Sequence, residues 1–388
     1  MKKIKIPFYK TSATVDERLE KCLSSGWMTS GPVVQEFENS LANYIDVEHV
    51  VSVNSCTAGL HLSLAAQNIK EEDFVIVPTL TFVATAEVVE YFGANVILCD
   101  IDPKTLCIDV NEIEYHAKKL GGKLKFVMPV HFAGFCADMK NIVELSEKYN
   151  FKIIEDAAHA LESVSNIGKV GDNNHCTAFS FYANKNLTTG GEGGAVSTNN
   201  GNLAKKIKKL SLHGMTKDAW NRFSENGKWF YQVDELGYKY NLTDIAASIG
   251  LQQLSELDLN HSKRKKIAQS YDSFFDKIPS IDRYHYDEAH KHAYHLYIIN
   301  IKSDQWSISR NELINEINGF GIGTSVHYIP LHTMPYYKQK YGYKDNEFPN
   351  SSNYFSTCIS IPIYPMMDNK DMNYIKEVFT KLSDQYQK

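Results

Sequence analysis

Two charged residues stand where their surroundings can change their chemistry. Asp156 ends the run KIIED, and Lys185 comes just after the apolar run CTAFSFYA. A lysine beside a buried strand can lose its proton, because desolvation disfavours the charged form, and the free amine can then form a Schiff base with an aldehyde. A carboxylate at a strand end can pair with a protonated ring nitrogen. Taken singly, each residue is more typical of an exposed turn or a helix cap.

Residues around these two offer partners for a phosphate and a ring. The segment VNSCTAGLHL predicts a strand that ends at Ser55 and a helix that opens at Thr57, and a helix start suits a phosphate. A simple capping role explains the same pattern equally well. His159, three residues after Asp156, is a second polar group for the same ring. The glycine-rich loop 190–194 would let the backbone pass close to a bound ring, and it matches neither the P-loop nor the dinucleotide-binding pattern.

The order of these features resembles that of a known class of enzymes. A helix start suited to phosphate, then Phe82 after a predicted strand, then Asp156 and Lys185, resembles pyridoxal 5'-phosphate (PLP) enzymes of the aspartate-aminotransferase fold type. The sequence further resembles the DegT/DnrJ/EryC1/StrS family of sugar aminotransferases, from about residue 24 to 332. The motifs that carry this resemblance are GWMTSGPVVQEFE, NSCTAGLHLSL, PTLTFVATAE, IEDAAHA, FSFYANKNLTTGGEGG, GYKYNLTDIAA and VHYIPLH.

The resemblance implies a role for each cofactor-binding residue. Lys185 would carry PLP as a Schiff base, and Asp156 would pair with the pyridine nitrogen. His159 would donate a hydrogen bond near the phenolic oxygen, and Phe82 would stack on the ring. The cofactor phosphate would be held by Cys56, Thr57 and Ser180. Asn241, in GYKYNLTDI, matches the asparagine that reaches the phosphate of the neighbouring subunit's cofactor, which implies a homodimer with shared active sites.

The reaction that the resemblance implies is transamination. An amino group would pass from L-glutamate to the C4 ketone of a dTDP- or UDP-linked 4-keto-6-deoxyhexose, for amino-sugar synthesis in O-antigen or another glycan. The loop NKNLTTGGEGG resembles the C4 type of family loop, K-x-[IL]-T-T-x-E-G-G, with one extra glycine before Glu192. The alternatives are a C3 aminotransferase, a PLP-dependent sugar dehydratase and a non-catalytic regulator on the same fold. Some relatives that became dehydratases replace the lysine with histidine, so Lys185 favours transamination.

Four residues are candidates for substrate contacts. Trp220 and Arg222 lie in HGMTKDAWNRF, which also resembles the C4 group, and they could meet a nucleotide through stacking and phosphate pairing. Packing of Trp220 onto the core is an equally good explanation. His327 and Tyr328, in VHYIPLH, would lie at the mouth of the active site, although aromatic residues at a strand end often belong to a core.

A histidine-rich segment, RYHYDEAHKHAYH, invites comparison with a metal site. Its spacing is irregular and no cysteine accompanies it, so we expect a solvated loop that leads into a strand at 295–301, and we predict no metal. The residues that a search for metal ligands would select are His285, Asp287, Glu288, His290, His292 and His295.

The composition limits the possible partners and compartment. A hydrophobic content of 43% places the chain among globular proteins, and a net charge of -5 argues against nucleic-acid binding. The start MKKIKIPFYK lacks a following apolar run, and no stretch is long enough to span a bilayer, so we expect a cytoplasmic protein without a membrane partner. The seven cysteines include no CxxC pair, which favours reduced thiols.

The candidate residues must be positioned by the elements of segment 50–200. Short apolar runs that predict strands alternate there with helical patterns. This alternation predicts an α/β fold around a largely parallel sheet buried on both faces, with binding residues at the carboxyl ends of strands. The resemblance implies PLP fold type I with seven strands in that sheet. We expect a large PLP-binding domain over 1–257 and a small α+β domain over 258–388.

The predicted small domain begins after the charged run HSKRKK at 261–266. We expect it to contain a helix, a strand at 295–301, a helix near 308–319, a strand at 323–329 and a terminal helix. Before it, the polar segment GMTKDAWNRFSENGKW is expected to be an ordered loop, because two tryptophans are costly to expose.

Overall fold

A central sheet and a smaller one carry the fold. The computed structural model describes residues 4–11, 17–215, 231–285 and 290–388. The strands, in chain order, are β1 (His49–Val53), β2 (Phe74–Pro78), β3 (Asn95–Cys99), β4 (Leu124–Val127), β5 (Lys152–Asp156), β6 (Val164–Ser165), β7 (Gly168–Lys169), β8 (Cys176–Ser180), β9 (Gly194–Thr198), β10 (Ile281–Arg283), β11 (Tyr297–Ile301) and β12 (Cys358–Ile361). The central sheet has seven strands in the order β1-β9-β8-β5-β4-β2-β3.

The central sheet is mostly parallel. Neighbouring strands are parallel from β3 through β2, β4 and β5 to β8, while β9 is antiparallel to both β8 and β1. Strand β2 reads FVIVP and is buried at four successive positions, as a strand covered on both faces requires. The predicted α/β fold around a largely parallel, seven-stranded sheet is confirmed. The carboxyl ends of β5 and β8 adjoin each other.

Helices cover the sheets on both sides. Helix Cys56–Ala66 packs on β8 and β9, and helices Val110–Leu120 and Met139–Tyr149 pack on β4 and β5. The helices are α1 (Glu17–Ser25), α2 (Pro32–Ile45), α3 (Cys56–Ala66), α4 (Ala84–Glu90), α5 (Val110–Leu120), α6 (Met139–Tyr149), α7 (Gly201–Leu210), α8 (Asp244–Ser255), α9 (Leu257–Phe275), α10 (Arg310–Gly319), α11 (Pro335–Tyr341), α12 (Pro349–Thr357) and α13 (Asn369–Tyr386). In the described part of the chain, no helix is both long and apolar enough to cross a membrane.

The second sheet consists of β10, β11 and β12, which are antiparallel. Helices α9, α10 and α13 contribute to a core beside it that includes Tyr271, Trp306 and Phe379. From the start of the chain, Ile6 pairs with Ile322 and joins the same core. The division into domains over 1–257 and 258–388 stays a prediction.

Two local expectations for this part of the chain were wrong. The segment 323–329 is not a strand, because β12 takes the place beside β11 and only Ser325 pairs with it, through a bridge to Ser360. The charged run at 261–266 does not precede a helix but lies within α9, which begins at Leu257. The expected ordered loop GMTKDAWNRFSENGKW lies outside the described residues except at its first two positions.

Candidate active site

A cavity at the carboxyl ends of β5 and β8 contains most of the predicted site residues. Its volume of about 530 Å³ suits a small-molecule site. The predicted residues in its wall are Cys56, Thr57, Phe82, Asp156, His159, Ser180, Lys185, His327 and Tyr328. Asn241 is not part of this wall; its backbone pairs with Val53 at the end of β1. Trp220 and Arg222 lie outside the described residues.

The start of helix α3 forms one end of the cavity. Ser55 has an extended backbone, and its hydroxyl caps the helix that begins at Cys56. Gly194 of β9 passes so close that a Cβ there would lie 2.6 Å from the carbonyl carbon of Ser55 and 2.7 Å from the amide of Cys56. Thr57 and Ser180 add hydroxyl groups to the same wall. This end of the cavity can therefore bind an anion through free amides, hydroxyls and the helix dipole.

Asp156 is buried at the end of β5 in a fixed orientation. Thr85 Oγ1 donates a hydrogen bond to its Oδ2 at 2.7 Å, and the Ala158 amide donates to its Oδ1 at 3.1 Å. Burial, followed by the charge of Asp156, raises the pKa of the Cys56 thiol well above its ordinary value, so the thiol stays neutral. A carboxylate has about four acceptor positions, so Asp156 can accept a further hydrogen bond from a ligand in the cavity.

Lys185 is half-buried in the cavity wall, on the turn after β8. Its backbone amide donates a hydrogen bond to the carbonyl of Tyr182 at 2.9 Å. Burial lowers the pKa of Lys185 to about 8, while Cys56 and Asp156 act in the opposite direction. About a tenth of this amine is therefore unprotonated at pH 7. The unprotonated form is the one that acts as a nucleophile or a base.

His159 is buried and holds its proton on one identified nitrogen. Burial lowers its pKa well below the ordinary value, and the charge of Lys185 adds to the effect, so the ring is neutral. The Ala133 amide donates to Nδ1 at 3.2 Å, which leaves the ring proton on Nε2. Nε2 then donates to the Tyr328 hydroxyl oxygen at 3.0 Å. The hydroxyl proton of Tyr328 remains for another acceptor.

Two aromatic residues line the mouth of the cavity. His327 stacks on Phe8 with ring centroids 5.5 Å apart, and its Nδ1 lies 2.9 Å from the Ser360 hydroxyl. Burial lowers the pKa of His327 to about 3, so this ring is neutral too. Phe82 is 56% exposed although it is aromatic, and its ring centroid lies 6.0 Å from that of Tyr328. An exposed aromatic ring in a cavity wall is available for stacking on a planar ligand.

The histidine-rich segment is not a solvated loop at the two positions nearest β11. His292 and His295 are buried, because the chain passes into the interior before the strand begins. The ring centroid of His295 lies 4.3 Å from that of His159. The prediction missed this site residue, although its place just before an apolar strand is the signal that could have identified it. Asp287 and Glu288 lie outside the described residues.

A group of possible metal ligands lies elsewhere among the described residues. Single ligand atoms of Cys99, Glu112 and His116 lie within 4.8 Å of one another. Burial, followed by the charge of Glu112, raises the pKa of the Cys99 thiol well above its ordinary value. The group offers one ligand atom from each of three residues and lacks the four-ligand set of a structural zinc site, and we assign no metal there.

Sequence analysis also missed polar residues around Lys185. Tyr182, Asn184 and Glu192 line the cavity, and Thr85 contacts Asp156. The first three lie in the motif FSFYANKNLTTGGEGG and Thr85 lies in PTLTFVATAE, so membership of these motifs is the sequence signal that could have identified them.

The sequence matches the model of the DegT/DnrJ/EryC1/StrS aminotransferase family over residues 10–380. The chain belongs to this family. The enzymes of the DegT/DnrJ/EryC1/StrS family depend on PLP, and the predicted cofactor is therefore confirmed.

Three known proteins resemble the chain over almost its full length. The spore coat polysaccharide biosynthesis protein SpsC of Bacillus subtilis is 42% identical over 365 residues, which cover 93% of this chain and 92% of SpsC. The putative sugar aminotransferase Spr1654 of Streptococcus pneumoniae, in its PMP form, is 32% identical with a TM-score of 0.88, covering 98% of this chain and 100% of Spr1654. Helicobacter pylori PseC, an aminotransferase involved in the biosynthesis of pseudoaminic acid, is 25% identical with a TM-score of 0.88 over 98% of this chain and 100% of PseC.

These findings make the chain a PLP-dependent sugar aminotransferase, which takes a sugar and an amino donor as substrates. The cavity residues fit the cofactor. The Lys185 amine can bond an aldehyde, the start of α3 can hold a phosphate, and Asp156 has an acceptor position left for a protonated ring nitrogen.

Proposed function

We propose that this aminotransferase moves an amino group from L-glutamate to the C4 ketone of a dTDP- or UDP-linked 4-keto-6-deoxyhexose, for synthesis of an amino sugar in O-antigen or another glycan. The observation that carries the proposal is the loop NKNLTTGGEGG (184–194), which contributes Asn184, Lys185 and Glu192 to the cavity wall and resembles the C4 type. The polysaccharide and pseudoaminic acid functions in the names of SpsC and PseC support a role in glycan synthesis.

Lys185 and Asp156 carry the chemistry in this proposal. When bound, PLP supplies a pyridinium ring that accepts the electron pair left by departure of an α-proton. The Asp156 carboxylate keeps the ring nitrogen protonated by accepting its hydrogen bond. Lys185 Nζ would hold the cofactor aldehyde until the amine of glutamate displaces it, and the free Nζ then removes the Cα proton of glutamate and would pass it to the cofactor. In the second half-reaction, Lys185 Nζ delivers a proton to C4 of the sugar.

The remaining cavity residues bind and orient. Cys56, Thr57 and Ser180 hold the cofactor phosphate at the start of α3. Phe82 stacks on the ring. His159 was predicted to donate a hydrogen bond near the phenolic oxygen, but its Nε2 proton is directed at the Tyr328 hydroxyl, so we propose that Tyr328 donates there and that His159 orients it. We further propose His327 and Tyr328 as sugar contacts and Trp220 and Arg222 as nucleotide contacts.

A homodimer with shared active sites completes the proposal. Asn241 Nδ2 donates to the Ser30 hydroxyl at 2.7 Å, and its Oδ1 accepts from Lys239 Nζ at 2.6 Å, so the side chain is held in place outside its own cavity. In the proposed dimer Asn241 reaches the phosphate in the partner's site. We also propose that the enzyme works in the cytoplasm.

The direct test is a panel assay with wild-type enzyme and Lys185→Ala. Both are incubated with PLP, glutamate and dTDP- or UDP-linked sugars that carry the ketone at C3 or at C4, and the products are identified by mass and NMR. We expect an amino sugar only from C4 ketones with the wild type, and none with Lys185→Ala. Amination of C3 ketones alone would replace the C4 proposal, loss of a hydroxyl group would favour the dehydratase, and no turnover of any sugar would favour a regulator.

A further inference from the structure

The residue after Lys185 is anchored by its side chain on three sides. Asn186 Nδ2 donates to Glu162 Oε1 at 2.9 Å and to the Ala293 carbonyl at 2.8 Å, and Asn186 Oδ1 lies 3.2 Å from His295 Nδ1. A carbonyl can only accept a hydrogen bond, so the NH₂ group must face Ala293. The amide oxygen therefore faces His295.

This orientation fixes the position of the proton on His295. An oxygen that can only accept requires an N–H opposite it, so the neutral ring of His295 is protonated on Nδ1. Burial, His159 and Lys185 all lower the pKa of His295, in that order, which keeps the ring neutral. His159 has the opposite arrangement, with its proton on Nε2, because the Ala133 amide donates to its Nδ1.

The two imidazole rings are packed together. Their centroids lie 4.3 Å apart and their planes are inclined by 32°. His159 is the ring that orients the Tyr328 hydroxyl in the cavity. The contacts therefore form a continuous path from the turn that carries Lys185, through Asn186 and His295, to His159.

Glu162 lies beside Asn186, at the end of this path that is opposite His159, and burial of its carboxyl group is energetically unfavourable. It is 3% exposed, and among the described residues its Oε2 has no hydrogen-bond partner. Burial raises the pKa of Glu162 to about 7, while the hydrogen bond from Asn186 and the charge of Arg264 oppose the rise. A buried carboxyl group with one oxygen unpaired weakens the fold, and such residues are typically retained near functional sites.

We propose that Glu162, Asn186 and His295 are positioning residues, which fix the position of the turn that carries Lys185 relative to the His159 ring. His295 acts in this arrangement as the Nδ1-protonated tautomer. The importance of this relative position for catalysis rests on the proposed function, because it assumes that Lys185 transfers protons and His159 orients Tyr328. The tautomers themselves do not depend on any substrate.

The test combines NMR of the unloaded protein with the glutamate half-reaction. Histidine ¹⁵N shifts report the tautomers, with signals assigned through His159→Gln and His295→Gln. The informative variant is Asn186→Ala. Its matched control is Asn95→Ala, because Asn95 Nδ2 also donates to two carbonyls, those of Glu71 and Asp73, far from the cavity.

In the wild type we expect His295 protonated on Nδ1 and His159 on Nε2. Asn186→Ala should give mixed tautomers at His295 and shifted His159 signals, and should slow the glutamate half-reaction about tenfold to 100-fold, with KM for glutamate little changed. Glu162→Gln keeps an acceptor for Asn186, so it should retain the His295 tautomer, whereas Asn95→Ala should match the wild type in both measurements.

Protonation of wild-type His295 on Nε2 would overturn the proposal, as would an Asn186→Ala variant with wild-type spectra and rate. If the wild type fails to convert glutamate at all, the proposed function fails, and the ¹⁵N shifts still decide the hydrogen-bond network.

Discussion

Glu155 and Asp156 are adjacent carboxylates at the end of β5, yet their surroundings differ completely. Glu155 is enclosed by side chains and accepts hydrogen bonds on both oxygens. Burial alone would raise the pKa of Glu155, but His175 and His131 outweigh it and hold the pKa well below its ordinary value. Its donors are His131 at 2.5 Å, Asn173 at 2.7 Å, Thr177 at 3.1 Å and His175. Asp156 has Thr85 and the Ala158 amide on one side and the cavity on the other.

The difference shows that two adjacent residues of one strand can have separate roles, one in the stability of the fold and one in the chemistry of the site. Successive side chains of a strand point to opposite faces, so Glu155 and Asp156 face different layers of the protein. Glu155 is saturated with donors, and a saturated buried carboxylate stabilises the local fold. Asp156 has acceptor capacity directed at the cavity, where a ligand can use it. The surroundings, rather than the residue type, assign the role.

The largest expected effect is a loss of activity, which should follow a change of Asp156 but not a change of Glu155. Asp156→Asn keeps the shape of the side chain but removes the charge that holds a ring nitrogen protonated. We expect kcat to fall about 100- to 1000-fold, with the urea midpoint near that of the wild type. Steady-state kinetics with glutamate and a 4-keto sugar checks this, and a variant with wild-type kcat would show that Asp156 is no more than a structural residue.

The converse change should act on stability. Glu155→Gln leaves His131 and His175 without their carboxylate partner, and we expect about 3 kcal/mol less free energy of unfolding, with kcat of the folded enzyme preserved. The pKa of Glu155 is depressed in the folded state, so its contribution is present above the pKa of the unfolded state, about 4.3, and is lost as the pH falls. Urea titrations at pH 7 and about pH 3 should show that the difference in unfolding free energy between variant and wild type narrows in acid. Loss of kcat as large as that of Asp156→Asn would contradict the comparison.

The desolvated amine of Lys185 should lower the free energy of unfolding of the protein without PLP. Its pKa is lowered from 10.5 to about 8, so between these values the unfolded state binds more protons than the folded state, and stability rises with pH. Lys185→Met should therefore be more stable than the wild type by about 3 kcal/mol at pH 7. Urea titration without PLP measures the difference, which should shrink as the pH rises from 8 to 10. A wild type as stable as the variant at pH 7 would show that the amine is not desolvated.

The smallest expected effects come from changes of two threonines, each of which donates a hydrogen bond to one of the two carboxylates. Thr85 donates to Asp156 and Thr177 donates to Glu155, at 2.7 Å and 3.1 Å. A hydrogen bond to a charged group contributes about 1.5–3 kcal/mol. We expect Thr85→Val to lower kcat about tenfold and Thr177→Val to lower the unfolding free energy by about 2 kcal/mol without lowering kcat. Equal effects of the two changes on kcat would remove the distinction between the carboxylates.

Short-range patterns were enough to predict the sheet and the reactive pair. Strands β2, β3, β4, β5 and β8 were predicted because each lies in a short run rich in apolar residues, and the parallel order then placed Asp156 and Lys185 at one edge. The start of helix α3 was predicted at Thr57, one residue after the observed start at Cys56, because candidate capping side chains are visible in the sequence.

The errors came from contacts between distant segments. Segment 323–329 has the pattern of a strand, but the place beside β11 belongs to β12, which the sequence could not rank against it. His295 and Thr85 gain their importance from His159 and Asp156, which are far away in the chain. No local pattern distinguishes a histidine or threonine with such a partner from one without.

The destination of the glutamate nitrogen is the most direct measurement. With ¹⁵N-labelled glutamate, PLP and a nucleotide-linked 4-keto-6-deoxyhexose, the wild-type enzyme should give a sugar whose ¹⁵N is bonded to C4, seen by NMR as coupling between them, and Lys185→Ala should give none. A product with ¹⁵N at another carbon, or a sugar that carries no ¹⁵N at all, would contradict the proposed transfer.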